Sequence, residues 1–175
     1  MSRARSPRLG LLVAAIVVVD QLTKHWALNR LSGSRTIDLV GSLRFNLVFN
    51  KGMAFSQATG AGPVLGALGF IVVIAMVLWL RRQAQGLAAT AAGLIVGGAV
   101  GNLIDRSFRG EAWLRGAVVD FVDLQWFPVF NVADSAISIG AVLMIVASLR
   151  QSSTRSQAAS PQTTGAPTHQ SGPVL

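Results

Sequence analysis

The chain has 175 residues, of which 51% are hydrophobic and only 13% charged, with a mean hydropathy of +0.53. That length allows about one domain, and so few charges cannot solvate the surface of a soluble protein of this size, which makes a membrane protein the first class to consider. The net charge of +8 would suit nucleic acid, but the 15 Lys and Arg lie mostly between and outside the apolar runs, where topology-setting charges belong, so no nucleic-acid partner is expected.

Residues 1–8 carry Arg3, Arg5 and Arg8, and the almost wholly apolar residues 9–28 are enough for a helix to cross ~30 Å of hydrocarbon. A secretory signal would close on a small-residue cleavage site. Asp20 and Lys24 interrupt this run instead, so it reads as an uncleaved first span. In the following loop, residues 36–40 and 43–49 are β-branched and aromatic runs flanking Gly41-Ser42, which predict a small hairpin or sheet. Non-helical backbone cannot face lipid, so the hairpin belongs at the membrane surface or against protein. Asn50-Lys51-Gly52-Met53-Ala54-Phe55-Ser56 signals a turn before a second span at residues 62–80, which ends at Arg81 and Arg82.

Residues 87–104 form a third span, and residues 129–149 a fourth that ends at Arg150. Between them, residues 107–128 carry Trp113, Phe121, Trp126 and Phe127, which favour the headgroup level and predict a lid or collar along the surface. The fold class is therefore a mainly α membrane protein with four transmembrane helices, occupying residues 1–150. Residues 151–175 are rich in Ser, Gln, Thr, Pro and Gly and read as a disordered cytoplasmic tail.

Basic residues near the span ends set the orientation. With the N-terminus in the cytoplasm, the inner side holds Arg3, Arg5, Arg8, Arg81, Arg82, Arg150 and Arg155, and the outer loops hold Arg30, Arg35, Arg44, Lys51, Arg106, Arg109 and Arg115. The totals tie, but the inner residues are concentrated in short segments, which dominate the rule, so both termini are placed inside. Asp20 and Lys24, Asn102 to Arg106, and Asn131 to Asp134 then approach one level near the outer face. The inner ends carry no acidic residue.

Carboxylates at membrane depth are costly enough to point to function. Asp120 and Asp134 lie fourteen positions apart across a dry aromatic segment, and two converging carboxyl groups make a shared-proton pair that activates water. Singly, each has a plainer reading: Asp134 as a helix N-cap, Asp120 as a solvated loop acid. Asp123 competes with Asp120, because on a helix the two would share a face and spacing does not choose between them. Asp20 and Lys24, one helical turn apart, fit a structural ion pair that orients the site. Gly93, Gly97 and Gly101 form a small-residue ridge that lets helices approach and continues to Asp105, which reads with Arg106 as a structural pair at a helix end. Asn102 and Arg106 share a face from which they could bind a substrate carbonyl or hold an aspartate. Cysteine is absent and His25 and His169 are far apart, so neither thiol chemistry nor a metal or other cofactor is expected. No serine-hydrolase elbow, zincin helix or P-loop is present.

These residues resemble the lipoprotein signal peptidases, or signal peptidase II, of bacterial inner membranes. The resemblance runs from Asp20-Gln21-Leu22-Thr23-Lys24 through Asn50-x-Gly52 with Ala54-Phe55-Ser56, and Gly97-Gly98-x-x-Gly101-Asn102-Leu103-Ile104-Asp105-Arg106. It continues to Val118-Val119-Asp120-Phe121 and Phe130-Asn131-x-Ala133-Asp134-Ser135, covering about residues 9–150. It implies four transmembrane helices, a small periplasmic β-cradle and a surface helix, with the active site near the periplasmic face. It also implies a catalytic dyad of Asp120 and Asp134 rather than Asp123, supported by Asp20, Lys24, Asn50, Asn102, Asp105, Arg106 and Asn131. The implied substrate is a diacylglyceryl-modified prolipoprotein cut before its lipidated cysteine, with membrane lipid as the other partner and the enzyme a monomer. Met53 stands where alanine is usual, and the 107–118 link is longer than in many relatives. The rival classes are a small ion or proton carrier using Asp20, Asp105 and Asp134, and a non-catalytic assembly factor.

Overall fold

The computed structural model describes residues 7–51, 62–80, 86–110 and 113–158. In chain order the elements are α1 (Pro7–Leu31), β1 (Thr36–Val40), β2 (Leu43–Asn50), α2 (Gly62–Leu80), α3 (Leu87–Phe108), β3 (Val118–Asp123) and α4 (Val132–Ala158). Three of the helices, α1, α3 and α4, are long and apolar enough to cross a membrane, and Gly66–Leu80 within α2 is a shorter apolar stretch. Leu11 and Leu22 on α1, Ile71 and Ile74 on α2, and Val142 and Ile145 on α4 are exposed, a surface suited to lipid rather than water.

Small residues decide how the helices pack. A Cβ built on Gly93 would meet Leu9, one on Gly97 would meet Ile16, and one on Gly101 would meet Asp20, so α1 and α3 run parallel with their backbones close. Gly98 abuts the Ala133 carbonyl, and Gly140 abuts the Ala91 carbonyl, so α4 runs antiparallel on another side of α3. Gly69 meets Leu103 and sets α2 against α3. α3 is thus the central helix, which is why it is rich in glycine and alanine.

The strands form one antiparallel sheet in the order β1-β2-β3. The first two are the predicted hairpin. The third comes from the segment expected to act as a lid or collar, whose β-branched and aromatic Val118, Val119, Phe121 and Val122 suit a pleated strand buried on both faces. Phe121 packs with Ala27 and Leu31 of α1, and Trp26 meets Phe45 edge-on at 5.1 Å and Phe121 at 6.3 Å. This cluster seats the sheet on the C-terminal end of α1. Each aromatic pair contributes about 0.5–1.5 kcal/mol beyond the area it buries.

Several boundaries differ from expectation. α3 runs four residues past the predicted end at 104, so Asp105 and Arg106 belong to the helix. α4 starts at Val132 rather than 129, because Phe130 exchanges backbone hydrogen bonds with Val122. It then continues through Ala158 into the expected tail, with the Ser152 hydroxyl donating back to the Ser148 and Leu149 carbonyls. No glycine or proline interrupts residues 151–158. The expected surface helix has no counterpart among the described residues. Residues 52–61, including Met53, residues 81–85 and residues 159–175 lie outside them.

Candidate active site

The polar residues collect where α1 and α3 end and α4 begins. At their centre is Lys24, fully buried with Asp20 and Asp105. Its Nζ lies 2.8 Å from Asp20 Oδ2, 2.9 Å from Asp105 Oδ2 and 3.0 Å from Asn102 Oδ1, so three donors meet three acceptors. A buried ammonium is tolerable only when paired and hydrogen-bonded in this way.

Both carboxylates reach onward. Asp20 Oδ1 accepts the Ala133 N–H at 3.0 Å, and Asp105 Oδ2 accepts the Val119 N–H at 3.1 Å. Those amides belong to the residues immediately before Asp134 and Asp120. One lysine therefore ties the start of α4 and the start of β3 to α1 and α3.

Asn131 connects the two acids. Its Nδ2 donates to Asp120 Oδ1 at 2.6 Å, while its Oδ1 accepts the Asp134 N–H at 2.9 Å and its own N–H donates to Asp134 Oδ2 at 3.3 Å. The exchange with Asp134 is a capping box that fixes the first turn of α4. The N-cap is therefore Asn131, and Asp134 occupies the third helical position rather than the cap. Asn102 Nδ2 donates to Asp134 Oδ1 at 2.7 Å, and Asn50 Nδ2 donates to Asp120 Oδ2 at 3.0 Å. Asp120 is 1% exposed. Burial first, and the nearby Asp134 second, push its pKa up to about 6 against the opposing hydrogen bonds from Asn50 and Asn131.

Asp123 lies elsewhere. Three residues apart on a strand, it and Asp120 face opposite sides, not the shared face a helix would give. Its Oδ2 takes the Arg44 Nε–H at 2.8 Å and Asn46 Nδ2 at 3.2 Å, and its Oδ1 takes the Gln125 N–H at 2.7 Å. Burial works to raise its pKa, but these donors outweigh it and hold Asp123 below the usual carboxylate value.

The expected Asp105–Arg106 pair is not formed. Adjacent helical side chains diverge, whereas positions four apart share a face, and Asp105 Oδ1 pairs with Arg109 Nε at 2.7 Å. Arg106 instead interacts electrostatically with Asp134, Asp120 and Asp105 in that order, and its buried Nε has no hydrogen-bond partner among the described residues. Sequence reasoning missed two members of the network. Gln21 Nε2 donates to Asp20, the Gly101 carbonyl and Asp105, all at 3.2 Å, and Arg109 Nη2 lies 3.4 Å from Gln21 Oε1. The i, i+4 spacing from Asp105 to Arg109 was the available signal. No group of three or more metal-ligating side chains occurs among the described residues.

The chain as a whole is similar to known proteins. A family model described as signal peptidase (SPase) II matches residues 12–150. A lipoprotein signal peptidase of Mycobacterium leprae is 44% identical over 147 residues, covering 83% of this chain and 73% of that one. One from Rhodococcus jostii is 45% identical over 145 residues, with 81% and 73% covered. A bacterial membrane enzyme solved by the in meso method at 2.3 Å resolution superposes with a TM-score of 0.74 at 29% identity, covering 86% of this chain and 92% of that one.

Proposed function

The chain belongs to the signal peptidase II family, and from that premise we propose that it is an aspartic endopeptidase that removes signal peptides from diacylglyceryl-modified prolipoproteins, cutting before the lipidated cysteine. The observation that carries this is Asn131, which hydrogen-bonds both Asp120 and Asp134 and so holds two acids from distant parts of the chain around one amide. Family membership weighs against the carrier. So does the sequence: the N-terminal halves of α1 and α3 and the C-terminal half of α4 contain no acidic residue to extend an ion path.

Two close carboxyl groups do not ionise together easily, so one retains a proton. Asp120, deeper and already raised by burial, is the member that holds it. The ionised Asp134 takes a proton from water as the oxygen attacks the scissile carbonyl, while Asp120 donates its proton to the carbonyl oxygen. The tetrahedral diol then collapses: the C–N bond breaks, the leaving amine receives the proton held by Asp134, and the diol hydroxyl returns one to Asp120. No covalent intermediate is required. The Arg106 Nε–H, without a hydrogen-bond partner among the described residues, and the second Nδ2–H of Asn102, beyond the one given to Asp134, are donors for substrate carbonyls.

α2 serves as the fourth span, both termini lie in the cytoplasm, and the acid-bearing end faces the periplasm under the sheet. Acyl chains of the substrate in the bilayer then bring the peptide bond to the level of the dyad, and a single copy of the chain suffices. The test is cleavage of a purified lipidated prolipoprotein by the chain in lipid. Asp120→Asn and Asp134→Asn should each lower the rate by about 10²–10⁴-fold while folding is retained, and normal cleavage by either variant would overturn the assignment.

A further inference from the structure

β2 changes face partway along its length. Arg44 and Phe45 pair with Asp123 and Val122, whereas Val48, Phe49 and Asn50 pair with Asp120, Val119 and Val118, so the register slips by one residue between Phe45 and Val48. In a regular strand Arg44, Asn46, Val48 and Asn50 would all point the same way. The extra residue of the bulge reverses that. Arg44 and Asn46 bind Asp123 on one side of the sheet, and Asn50 reaches Asp120 on the other. Without the bulge, Asn50 would share a face with Asp123 and point away from Asp120.

We infer that Arg44 and Asp123 are a positioning pair that pins the bulged register of β2 on β3 and thereby aims Asn50 at Asp120. Several features support this. The pair sits one residue before the register step, with Asn46, inside the step, bound to the same Asp123, and Arg44 is one-third exposed, so it contributes little to stability as an ion pair. Asp123 uses both oxygens and also binds the Gln125 amide, in a turn where Gln125 has a φ of 68° and its side chain donates to the Ser42 carbonyl at 3.0 Å. β2, β3 and the turn after β3 are thus locked at one point, three residues along the strand from Asp120. Arg44 is a positioning residue only, because none of its contacts reaches Asp120.

The inference rests on the dyad reading, and the experiment separates the two. The full chain in lipid is compared as wild type, Asp123→Ala, Asn50→Ala and the double variant, with cleavage and its pH profile measured. Asp120 is faced by Asn50 from β2, Asn131 before α4, Asp134 on α4, Lys24 on α1 and Arg106 on α3. Asn50 favours the ionised form of Asp120, so its loss moves the limb reporting Asp120 to higher pH. Asp123→Ala should lower kcat tenfold or more with KM changed less than threefold, and should shift the limb as Asn50→Ala does. The double variant should be no worse than Asn50→Ala alone, and Asp123→Glu should retain most activity.

The chain contains no cysteine, so a Phe49→Cys/Val119→Cys pair reports register directly. It should cross-link in the parent and fail to do so with Asp123→Ala. Where Asp123→Ala does not fold, Asp123→Asn is expected to give the same pH shift at smaller size. An unmoved limb with intact cross-linking, or additive losses in the double variant, would overturn the positioning role. Normal cleavage by Asp120→Asn alongside lost cross-linking in Asp123→Ala would instead sink the dyad and leave the register lock standing.

Discussion

Replacing Lys24 by Met keeps much of the side-chain volume and removes the charge on which the buried network turns. Two carboxylates and one amide oxygen lose their common donor at 2.8–3.0 Å. Removing one partner of a buried pair destabilises by about 3–5 kcal/mol, because the other charge stays behind. The loss is not doubled, since Asp105 keeps Arg109 at 2.7 Å and the Val119 amide. Asp20 keeps only neutral donors, Gln21 and the Ala133 amide, so it is the stranded charge. For a chain of this size that predicts a fall in melting temperature of roughly 10 °C, read by thermal unfolding in detergent, together with a severe loss of prolipoprotein cleavage. Adding Asp20→Asn to Lys24→Met should recover stability by more than about 1 kcal/mol, because the two sites are directly coupled. A Lys24→Met protein that melts like wild type and cleaves normally would refute the reasoning.

Other outcomes follow from the same geometry. Asn131→Ala removes a cap worth about 0.5–2 kcal/mol and also releases both acids, so cleavage should fall by about 100-fold or more, far out of proportion to the shift in melting temperature. Gly98→Ala forces a methyl into the Ala133 carbonyl next to Asp134; we expect about 1–3 kcal/mol of destabilisation in unfolding assays and reduced cleavage. Asp120, with a folded pKa of about 6 against an ordinary value of 3.8, contributes stability that is complete below the ordinary value and lost as pH rises through about 6. The stability of wild type relative to Asp120→Asn should therefore decline between about pH 4 and 6, by on the order of 3 kcal/mol, in melts across that range. A flat difference would refute the assignment of Asp120 as the proton-holding member.

Much of this was legible in the chain itself. The apolar runs located the helices, the β-branched runs located the hairpin, and the glycine spacing 93, 97, 101 named the face on which α1 packs. Non-local pairing was harder to read. β3 is a strand because β2 lies beside it, and nothing within Val118–Asp123 announces that partner, so Asp120 and Asp123 remained indistinguishable by spacing until a period of two replaced one of 3.6. The Asp105 partner was misjudged because sequence adjacency was weighed above helical adjacency, which favours Arg109. The plainer reading of Asp134 as a cap falls three residues late, because both Asn131 and Asp134 satisfy the preference for a cap. Only the backbone exchange of Phe130 with Val122 delays the helix to Val132.

The contact between Asp20 and the Ala133 amide joins α1 to α4, the first and last of the described helices. The amide that closes the buried ion cluster and the second acid of the proposed dyad arrive on the same turn of α4. A growing polypeptide thus carries the parts of the proposed site in separate pieces, and on this reading the site is complete only once α4 has been made and docked.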